Sequence, residues 1–261
     1  MPAMELTAEP SWQAVDLISD LHLRAEDTET FAVWQGYMRT TAADALFILG
    51  DLFEVWVGDD VLQQEAFEQD CAVVIRELSG RTPVFFMHGN RDFLVGQAFL
   101  TACGATWLAD PTILIFQQQR WLLAHGDALC SDDTDYLVFR HQVRGSQWQQ
   151  TFLAKPLADR KLIARSLRQQ SQTQHDVRKK AGIADAEVNA IAASELLKHT
   201  NAKTLIHGHT HKPAEHSLGN GLQRVVLSDW DATASPKRAQ VLRLSSTGLQ
   251  RIEATDRSCA G

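Results

Sequence analysis

The chain has 261 residues, of which 44% are hydrophobic and 22% charged, the composition of a globular protein that can bury a core. Its net charge of −7 argues against a general nucleic-acid binder, and its four scattered cysteines, none in a C-x-x-C pair, argue against a disulfide framework or structural zinc. We therefore expect a single α/β domain over residues 1–261, with an insertion, in a reducing compartment and without a nucleic-acid partner.

Five apolar runs of strand length each end on residue types that bind metals. In chain order they are VDLISDLH, ALFILGD, VFFMHGNRD, WLLAHGD and TLIHGHTH. Helical patterns at 31–39 and 63–78 separate the first three runs, which is typical of βαβ units in a layered sheet. Residues 112–116 and 120–124 are predicted to form a hairpin added to that same sheet.

The second half of the chain begins with a stretch that lacks strand patterns. Short helices are predicted at 136–143, 148–154 and 157–169, and we interpret 131–180 as a helical insertion that caps the strand ends. A helix at 185–200 returns to the core before TLIHGHTH. The runs RVVLSDW, AQVLRL and LQRI are predicted to complete an antiparallel second sheet.

The ligand-type residues at the strand ends are expected to converge on one site. Strands in open α/β sheets end along a common edge, where such folds bind ligands. In D-x-H and H-x-H, residues i and i+2 of a continuing strand would face the same side. A single such residue is usually a satisfied polar group, but five motifs in this order favour metal ligation. The candidate ligands are Asp20, His22, Asp51, Asn90, His125, His209 and His211.

This ligand set suits a pair of transition metals. Imidazole and oxygen ligands without thiolate favour Mn²⁺, Fe or Zn²⁺ over Ca²⁺ or Mg²⁺. The carboxylate of Asp51 has two oxygens and can bridge two ions ~3.5–4 Å apart, the spacing of two-metal hydrolytic sites. We therefore expect two metal ions per chain, drawn from Mn²⁺, Fe and Zn²⁺.

The order D-x-H, G-D, G-N-x-D, H-G-D and G-H-x-H resembles that of the calcineurin-like metallophosphoesterases. The resemblance implies a four-layer αββα sandwich, α/β (α+β) in class, whose metal centre activates water for attack on phosphorus. It assigns two ligand sets that share Asp51. One metal would be held by Asp20, His22, Asp51 and His211, and the other by Asp51, Asn90, His125 and His209.

An arginine occupies a position where this superfamily usually has histidine. Most members read G-N-H-[D/E], whereas this chain has Gly89-Asn90-Arg91-Asp92. A guanidinium cannot donate a proton at neutral pH but offers fixed positive charge to phosphate. The substitution favours cleavage of a pyrophosphate, whose leaving group needs no acid, with Asn90 and Arg91 as the catalytic residues. In the alternative interpretation, Arg91 is a surface residue after a turn.

Longer motifs narrow the resemblance to one family. GDLFEVWVGDD, MHGNRDFL, HGDALCSDD and HGHTHKP are similar to those of the UDP-2,3-diacylglucosamine hydrolases of the lipid A pathway. This implies Mn²⁺-dependent attack at the α-phosphate of UDP-2,3-diacylglucosamine, with UMP and 2,3-diacylglucosamine 1-phosphate (lipid X) as products. It also implies peripheral association with the cytoplasmic face of the inner membrane. The implied substrate contacts are Asn90, Arg91, Asp133, Ser171, Lys179 and His209, with Arg178 as an alternative to Lys179.

The insertion has the charge and apolar content for such a substrate. Residues 136–180 contain ten Lys/Arg and two acids, or +8, while the remaining 15 basic and 30 acidic residues give −15. Lys161, Arg165 and Arg168 follow helical spacing and form one basic stripe. A group of apolar residues either lines an acyl-chain slot or packs the inserted helices together: Phe139, Trp148, Phe152, Leu153 and Leu157.

Two functions other than pyrophosphate hydrolysis are possible on such a scaffold. A nuclease or cyclic-nucleotide phosphodiesterase on the same scaffold is disfavoured by Arg91, by the acidic charge and by the apolar insertion. A degenerate scaffold that only binds partners would be expected to have lost ligands, whereas all seven positions are intact. The N-terminus lacks signal-peptide blocks and no run reaches 18 apolar residues, so we expect a cytoplasmic protein.

Overall fold

Two six-stranded mixed sheets lie face to face at the centre of the protein. The computed structural model describes residues 3–180, 182 and 187–254. Its strands are β1 (Met4–Thr7), β2 (Ala14–Ile18), β3 (Ala45–Leu49), β4 (Val84–Met87), β5 (Thr106–Leu108), β6 (Thr112–Phe116), β7 (Gln119–Ala124), β8 (Thr204–His207), β9 (Glu215–Gly219), β10 (Leu222–Val226), β11 (Gln240–Ser245) and β12 (Gly248–Glu253). The first sheet has the order β12-β11-β2-β3-β4-β5, and the second has the order β1-β6-β7-β8-β10-β9.

Helices cover the outer faces of both sheets and complete four layers. The helices are α1 (Thr28–Thr40), α2 (Ala66–Ser79), α3 (Gln97–Cys103), α4 (Thr134–Val143), α5 (Ser146–Leu153), α6 (Leu157–Lys180) and α7 (Ala190–His199). Strand β3 is buried throughout, and its side chains alternate. Leu46 and Ile48 pack with α1–α3, while Phe47 and Leu49 pack between the sheets. Helix α7 packs on the second sheet, so the αββα architecture is confirmed.

Two predicted sheet assignments are wrong. Strands β6 and β7 do pair as an antiparallel hairpin, but β7 continues parallel to β8 in the second sheet rather than joining the first. Strand β10 also lies in the second sheet, whereas β11 and β12 extend the first sheet through β2. Hydrophobic periodicity identifies a strand, but the partner is chosen by long-range packing that periodicity does not encode.

The three helices predicted in the insertion are present, with different ends. Helix α6 continues to Lys180 rather than stopping at 169, since its polar second half contains no Gly or Pro to end it. The later helix begins at Ala190 rather than 185 because the Asn189 side chain accepts hydrogen bonds from Ile191 N and Ala192 N. Residues 185 and 186 lie outside the described residues.

The packing interpretation holds for three of the apolar residues in the insertion. Phe152 is buried in the core that underlies the first sheet, and its ring stacks on Trp148 with centroids 4.8 Å apart. Leu157 packs against the same core. These three hold the insertion to the domain, whereas Phe139 and Leu153 are 38% and 42% exposed and remain available to a ligand.

The basic stripe on α6 is largely neutralised by acids of the domain. Lys161 pairs with Glu65, and Arg168 pairs with Glu54. Arg165, the third member, is exposed. Most of the stripe therefore attaches α6 to the segment after β3, which reduces the charge that it offers to an anionic surface.

The neighbouring acids Asp59 and Asp60 fasten two different helices to the segment after β3. The Asp59 carboxylate accepts hydrogen bonds from the N–H groups of Gly96 and Phe99, at 2.8 and 3.0 Å, at the start of α3. Asp60 pairs with Arg160, which is 2% exposed.

A buried ion pair between β2 and β11 provides a stability test. The Asp16 carboxylate is fully buried and accepts bonds from Arg243 Nε and Nη2, at 2.7 and 2.8 Å, as well as from Tyr37. Arg243→Ala should lower the free energy of unfolding by about 3 kcal/mol, because it leaves a buried carboxylate without its counter-charge. Urea unfolding measures this loss.

The matched control for that variant is Arg39→Ala. Arg39 pairs with Glu77 on the surface, where both side chains are about half exposed. This change should cost less than about 1 kcal/mol. Adding Asp16→Asn to Arg243→Ala should recover part of the loss, since an amide needs no counter-charge. Equal losses in the two arginine variants would contradict the buried-pair interpretation.

Candidate metal centre

The seven predicted ligands meet at one edge of the two sheets. Each follows the carboxyl end of a strand: β2, β3 and β4 in the first sheet, and β7 and β8 in the second. Their nitrogen and oxygen atoms form two adjoining groups, and five of the residues are found in candidate metal clusters: Asp20, His22, Asp51, His125 and His211. Asn90 and His209 join the second group by direct contact. Convergence from five strand ends is what the sequence predicts.

The first group brings two imidazoles and a carboxylate together. The Nε2 atoms of His22 and His211 lie 3.1 Å apart, and Asp20 Oδ1 lies 3.3 Å from His211 Nε2. Two ring nitrogens facing each other beside a carboxylate oxygen is the arrangement expected of groups that share a cation.

The second group is built around an amide oxygen. Asn90 Oδ1 lies 2.9 Å from His125 Nε2 and 2.9 Å from His209 Nδ1. Asp51 stands between the groups, with Oδ1 3.7 Å from His125 Nε2 and Oδ2 4.0 Å from His22 Nε2. Its two oxygens therefore reach toward one histidine of each group, as a bridging ligand must.

The backbone conformation of D-x-H and H-x-H differs from the prediction that these motifs continue a strand. Strand β2 ends at Ile18 and β8 ends at His207, so neither motif lies on a strand. Five of the seven ligands instead adopt left-handed backbone conformations, with φ between 48° and 69°: Asp20, His22, Asp51, His209 and His211. Such conformations cost about 1–3 kcal/mol each and persist at functional sites where the surroundings impose them.

Two glycines allow the ligand loops to approach this closely. A Cβ atom on Gly89 would lie 2.1 Å from Asp51 Oδ1, and one on Gly208 would lie 2.2 Å from Asp20 Oδ2. Both distances are far inside van der Waals contact. The glycines in G-N-R-D and G-H-T-H are therefore required to pack the loops against the ligand carboxylates.

Burial sets the protonation of the histidines in a way that suits ligation. Burial lowers the pKa of His22 to about 3 and that of His209 to about 4, so both imidazoles are neutral. Burial also opposes the charged form of His125, but the carboxylates of Asp51, Asp127 and Asp20 outweigh it and raise its pKa to about 9. The centre thus contains a surplus of buried carboxylate that attracts positive charge.

Neighbouring groups orient the ligands. His125 Nδ1 lies 2.9 Å from the Leu49 carbonyl, which fixes the ring so that Nε2 faces the site. Asp92 of G-N-R-D accepts bonds from Leu52 N and Gly89 N, both at 2.8 Å, and so ties the loop after β4 to the loop after β3.

Three nearby residues were missed by the motif analysis. The Tyr136 ring stacks on His209, with centroids 6.1 Å apart, and its hydroxyl donates to Asp127 at 2.5 Å. Glu54 Oε2 lies 3.5 Å from His22 Nδ1. Asp127 is the acid of H-G-D and Glu54 lies within GDLFEVWVGDD, so both were visible as motif residues, whereas Tyr136 belongs to no quoted motif.

The structure places only some of the predicted substrate contacts beside the candidate metal centre. Arg91 lines the same cleft as His22 and His211, so the alternative of a surface residue after a turn is not supported. Asp133 lies at the amino end of α4, where its side chain accepts the Tyr136 N–H at 3.2 Å. Ser171 is exposed on α6. The side chains of Arg178 and Lys179 lie outside the described residues, although both residues belong to α6.

The residues present fit a pair of divalent cations. His22 Nδ1 is buried without a hydrogen-bond partner among the described residues, and Nε2 faces another imidazole nitrogen rather than a donor. Four imidazoles, two carboxylates and one amide oxygen, without thiolate, form a donor set for Mn²⁺, Fe or Zn²⁺. Asp20, His22, Asp51 and His211 would hold one ion, and Asp51, Asn90, His125 and His209 the other.

Comparison with known proteins identifies relatives over most of the chain. The model of the calcineurin-like phosphoesterase family matches residues 14–213. The UDP-2,3-diacylglucosamine hydrolase of Chromobacterium violaceum is 45% identical over 83% of this chain and 90% of its own length. The hydrolase of the same name from Chromohalobacter salexigens is 43% identical over 90% and 95%, respectively.

Likeness among solved structures is much weaker. An archaeal phosphodiesterase shares 9% identical residues with this chain and has a TM-score of 0.45, covering 92% of this chain and 98% of its own. That likeness is too low to bear on function. Among the residues that the structure describes, no helix combines the length and the apolar character needed to cross a membrane.

Proposed function

Because the chain belongs to the UDP-2,3-diacylglucosamine hydrolases, within the calcineurin-like phosphoesterases, we propose that it hydrolyses UDP-2,3-diacylglucosamine. Water attacks the α-phosphate, and the products are UMP and 2,3-diacylglucosamine 1-phosphate. The observation that carries the proposal is the convergence of seven ligand side chains beside Arg91. The proposed cofactors are two Mn²⁺ ions per chain.

The protein's own residues hold and orient the reacting groups. When bound, the two cations supply Lewis acidity that polarises the phosphoryl group and makes water nucleophilic near neutral pH. Asp51 holds the two ligand groups together, and Gly89 lets the neighbouring loop reach it. The Arg91 N–H donates to Asp51 Oδ1 at 2.8 Å, which couples the loop of Arg91 to the bridging carboxylate.

Arg91 fits a phosphate leaving group. Its guanidinium remains charged and can neutralise a phosphoryl oxygen, while it cannot protonate an alkoxide. The departing 2,3-diacylglucosamine 1-phosphate is a phosphate and leaves without an acid. Asn90 supplies a neutral oxygen, which leaves its cation more electrophilic than a further carboxylate would.

We propose that the insertion, residues 131–180, covers this site and holds the acylated half of the substrate. Arg144 Nη2 donates to the Gly89 carbonyl at 2.8 Å, and Tyr136 stacks on His209, so α4 reaches the metal-binding loops. The exposed side chains of Phe139 and Leu153 offer apolar surface on the same insertion. Asp133, Ser171 and Lys179 are the proposed sugar-side contacts, and the inner-membrane surface at the cytoplasmic face is the proposed peripheral partner.

Product labelling tests the reaction directly. Hydrolysis of UDP-2,3-diacylglucosamine in ¹⁸O-water should place the label in UMP, because water attacks the α-phosphate. Mass spectrometry of both products measures this. Label in 2,3-diacylglucosamine 1-phosphate would mean attack at the other phosphorus, and absence of both products would reject the proposed substrate.

A further inference from the structure

A cleft arm leads away from the first group of metal ligands, on the side of the loops that follow β2 and β10. We call it the arginine arm. Its inner end is formed by His22 and His211, and its walls include Arg24, Arg91, Arg168 and Trp230. The reaction proposed above does not assign a role to Arg24 or Trp230.

Two hydrogen-bond donors in the arginine arm are buried without a partner. Arg91 Nε and Trp230 Nε1 have no acceptor among the described residues. Trp230 is only 4% exposed, so water satisfies its indole N–H poorly. Leaving a buried donor unsatisfied is energetically unfavourable. Both residues line the cleft, so oxygen acceptors of a ligand bound there would offer partners to these donors.

The carboxylates that line the arm are already engaged. Asp229 and Asp231 pair with Arg238, each at 3.0 Å. Glu54 pairs with Arg168, and the Asp27 side chain accepts the Thr30 N–H at the start of α1. Each of these acids has a partner of its own, and Arg24 and Arg91 line the cleft beside them.

Arg24 and Arg168, two residues of like charge, line the same cleft. Burial, and then the nearby guanidinium of Arg24, lower the pKa of Arg168. Repulsion between two cations across a cleft is relieved when an anion or a group of oxygen atoms lies between them. This second observation is independent of the unpartnered donors.

The lining is unsuited to acyl chains. Among the described residues of the arm, Leu21 and Trp230 are the only apolar ones. The exposed apolar residues Phe139 and Leu153 lie instead on the insertion. A substrate with one lipid half and one nucleotide half would place the nucleotide half in the arginine arm.

We propose that the arginine arm is the nucleotide subsite and that Arg24 is a specificity-determining residue within it. The inference rests on the proposed function for the identity of the nucleotide, UMP. Arg24 binds the 5′-phosphate and ribose side, and the Trp230 N–H donates to an oxygen of the nucleoside, while Arg91 stays on the side of the departing phosphate. Arg24 selects a nucleotide-linked diphosphate and takes no part in holding the lipid.

Binding of each product on its own tests the subsite. Calorimetry with Mn²⁺-loaded protein measures the Kd of UMP and, separately, that of 2,3-diacylglucosamine 1-phosphate. Arg24→Ala should raise the Kd of UMP about tenfold, because a charge-assisted hydrogen bond is lost, and should leave the Kd of the lipid phosphate within about twofold. The Kd of UMP for Arg24→Lys should lie between those of the wild type and Arg24→Ala. The surface control Arg39→Ala should have the wild-type Kd.

The possible outcomes distinguish a failure of the nucleotide subsite from a failure of the proposed reaction. Unchanged UMP affinity in Arg24→Ala, a loss confined to the lipid phosphate, or no measurable binding of UMP to the wild type would each overturn the subsite. If the wild type fails to cleave UDP-2,3-diacylglucosamine but Arg24→Ala still weakens UMP binding, the proposed substrate is wrong and the nucleotide subsite stands.

Discussion

Asp51→Asn should reduce both the metal content and the turnover of this protein more than any other single change. The wild type should hold two metal ions per chain, and the variant one or fewer, because an amide has only one oxygen to offer to two ions. A divalent ion contributes several kcal/mol to a phosphoryl transition state, so turnover should fall about a thousandfold. Elemental analysis of chelator-free protein and UMP release measure the two effects.

The control for this variant is another Asp→Asn change far from the centre. Asp70 is exposed on α2 and lies outside the ligand loops. Asp70→Asn should retain two metals and wild-type turnover. Circular dichroism of Asp51→Asn should show native secondary structure, since removing a buried carboxylate leaves the sheets intact. Two bound metals with normal turnover in Asp51→Asn would refute the bridging assignment.

Arg91→Ala should lower kcat/KM for the diphosphate substrate by about a hundredfold, through loss of charge stabilisation in the transition state. The loss should be smaller for a phosphomonoester with an alkoxide leaving group, which gains little from a fixed cation on the departing side. Arg91→His should improve the ratio of monoester to diphosphate turnover, because imidazole can protonate an alkoxide. Steady-state kinetics on the two substrates, for all three proteins, measures these ratios.

Arg39→Ala is the matched control for the loss of one arginine, and it should keep both activities. Metal content should remain at two per chain in Arg91→Ala, because the backbone N–H of residue 91 still donates to Asp51. Equal losses on the diphosphate and the monoester would remove the argument that Arg91 selects a phosphate leaving group.

The convergence of the seven candidate ligands could be predicted from the sequence because each of them lies close to the end of its own strand. Each ligand follows its own apolar run within a few residues, as with Asp51 after ALFIL and His125 after WLLA. A strand end directs the next residues to one edge of a sheet whichever neighbours the strand has. Convergence of the ligands therefore did not depend on which sheet each strand joined.

The backbone conformation of the ligand loops could not be predicted from the sequence in the same way. D-x-H suggests two residues on one strand, but Asp20 and His22 lie past the end of β2 in left-handed conformations. Their N–H groups bond to the carbonyls of Gly50 and Asp51, at 3.1 and 3.0 Å. These bonds join segments about thirty residues apart, so spacing within the motif does not predict them.

Residue types and their short-range order were sufficient to predict the family, the four-layer class, the seven candidate ligands and the arginine at position 91. The tertiary structure alone decided which sheet β6, β7 and β10 join, the stacking of Tyr136 on His209 and the attachment of α6 through Arg168 and Glu54. These features arise from contacts between distant segments. The free energy of these contacts depends on the shape and burial of surfaces in the assembled fold, and local hydrophobic periodicity does not predict either.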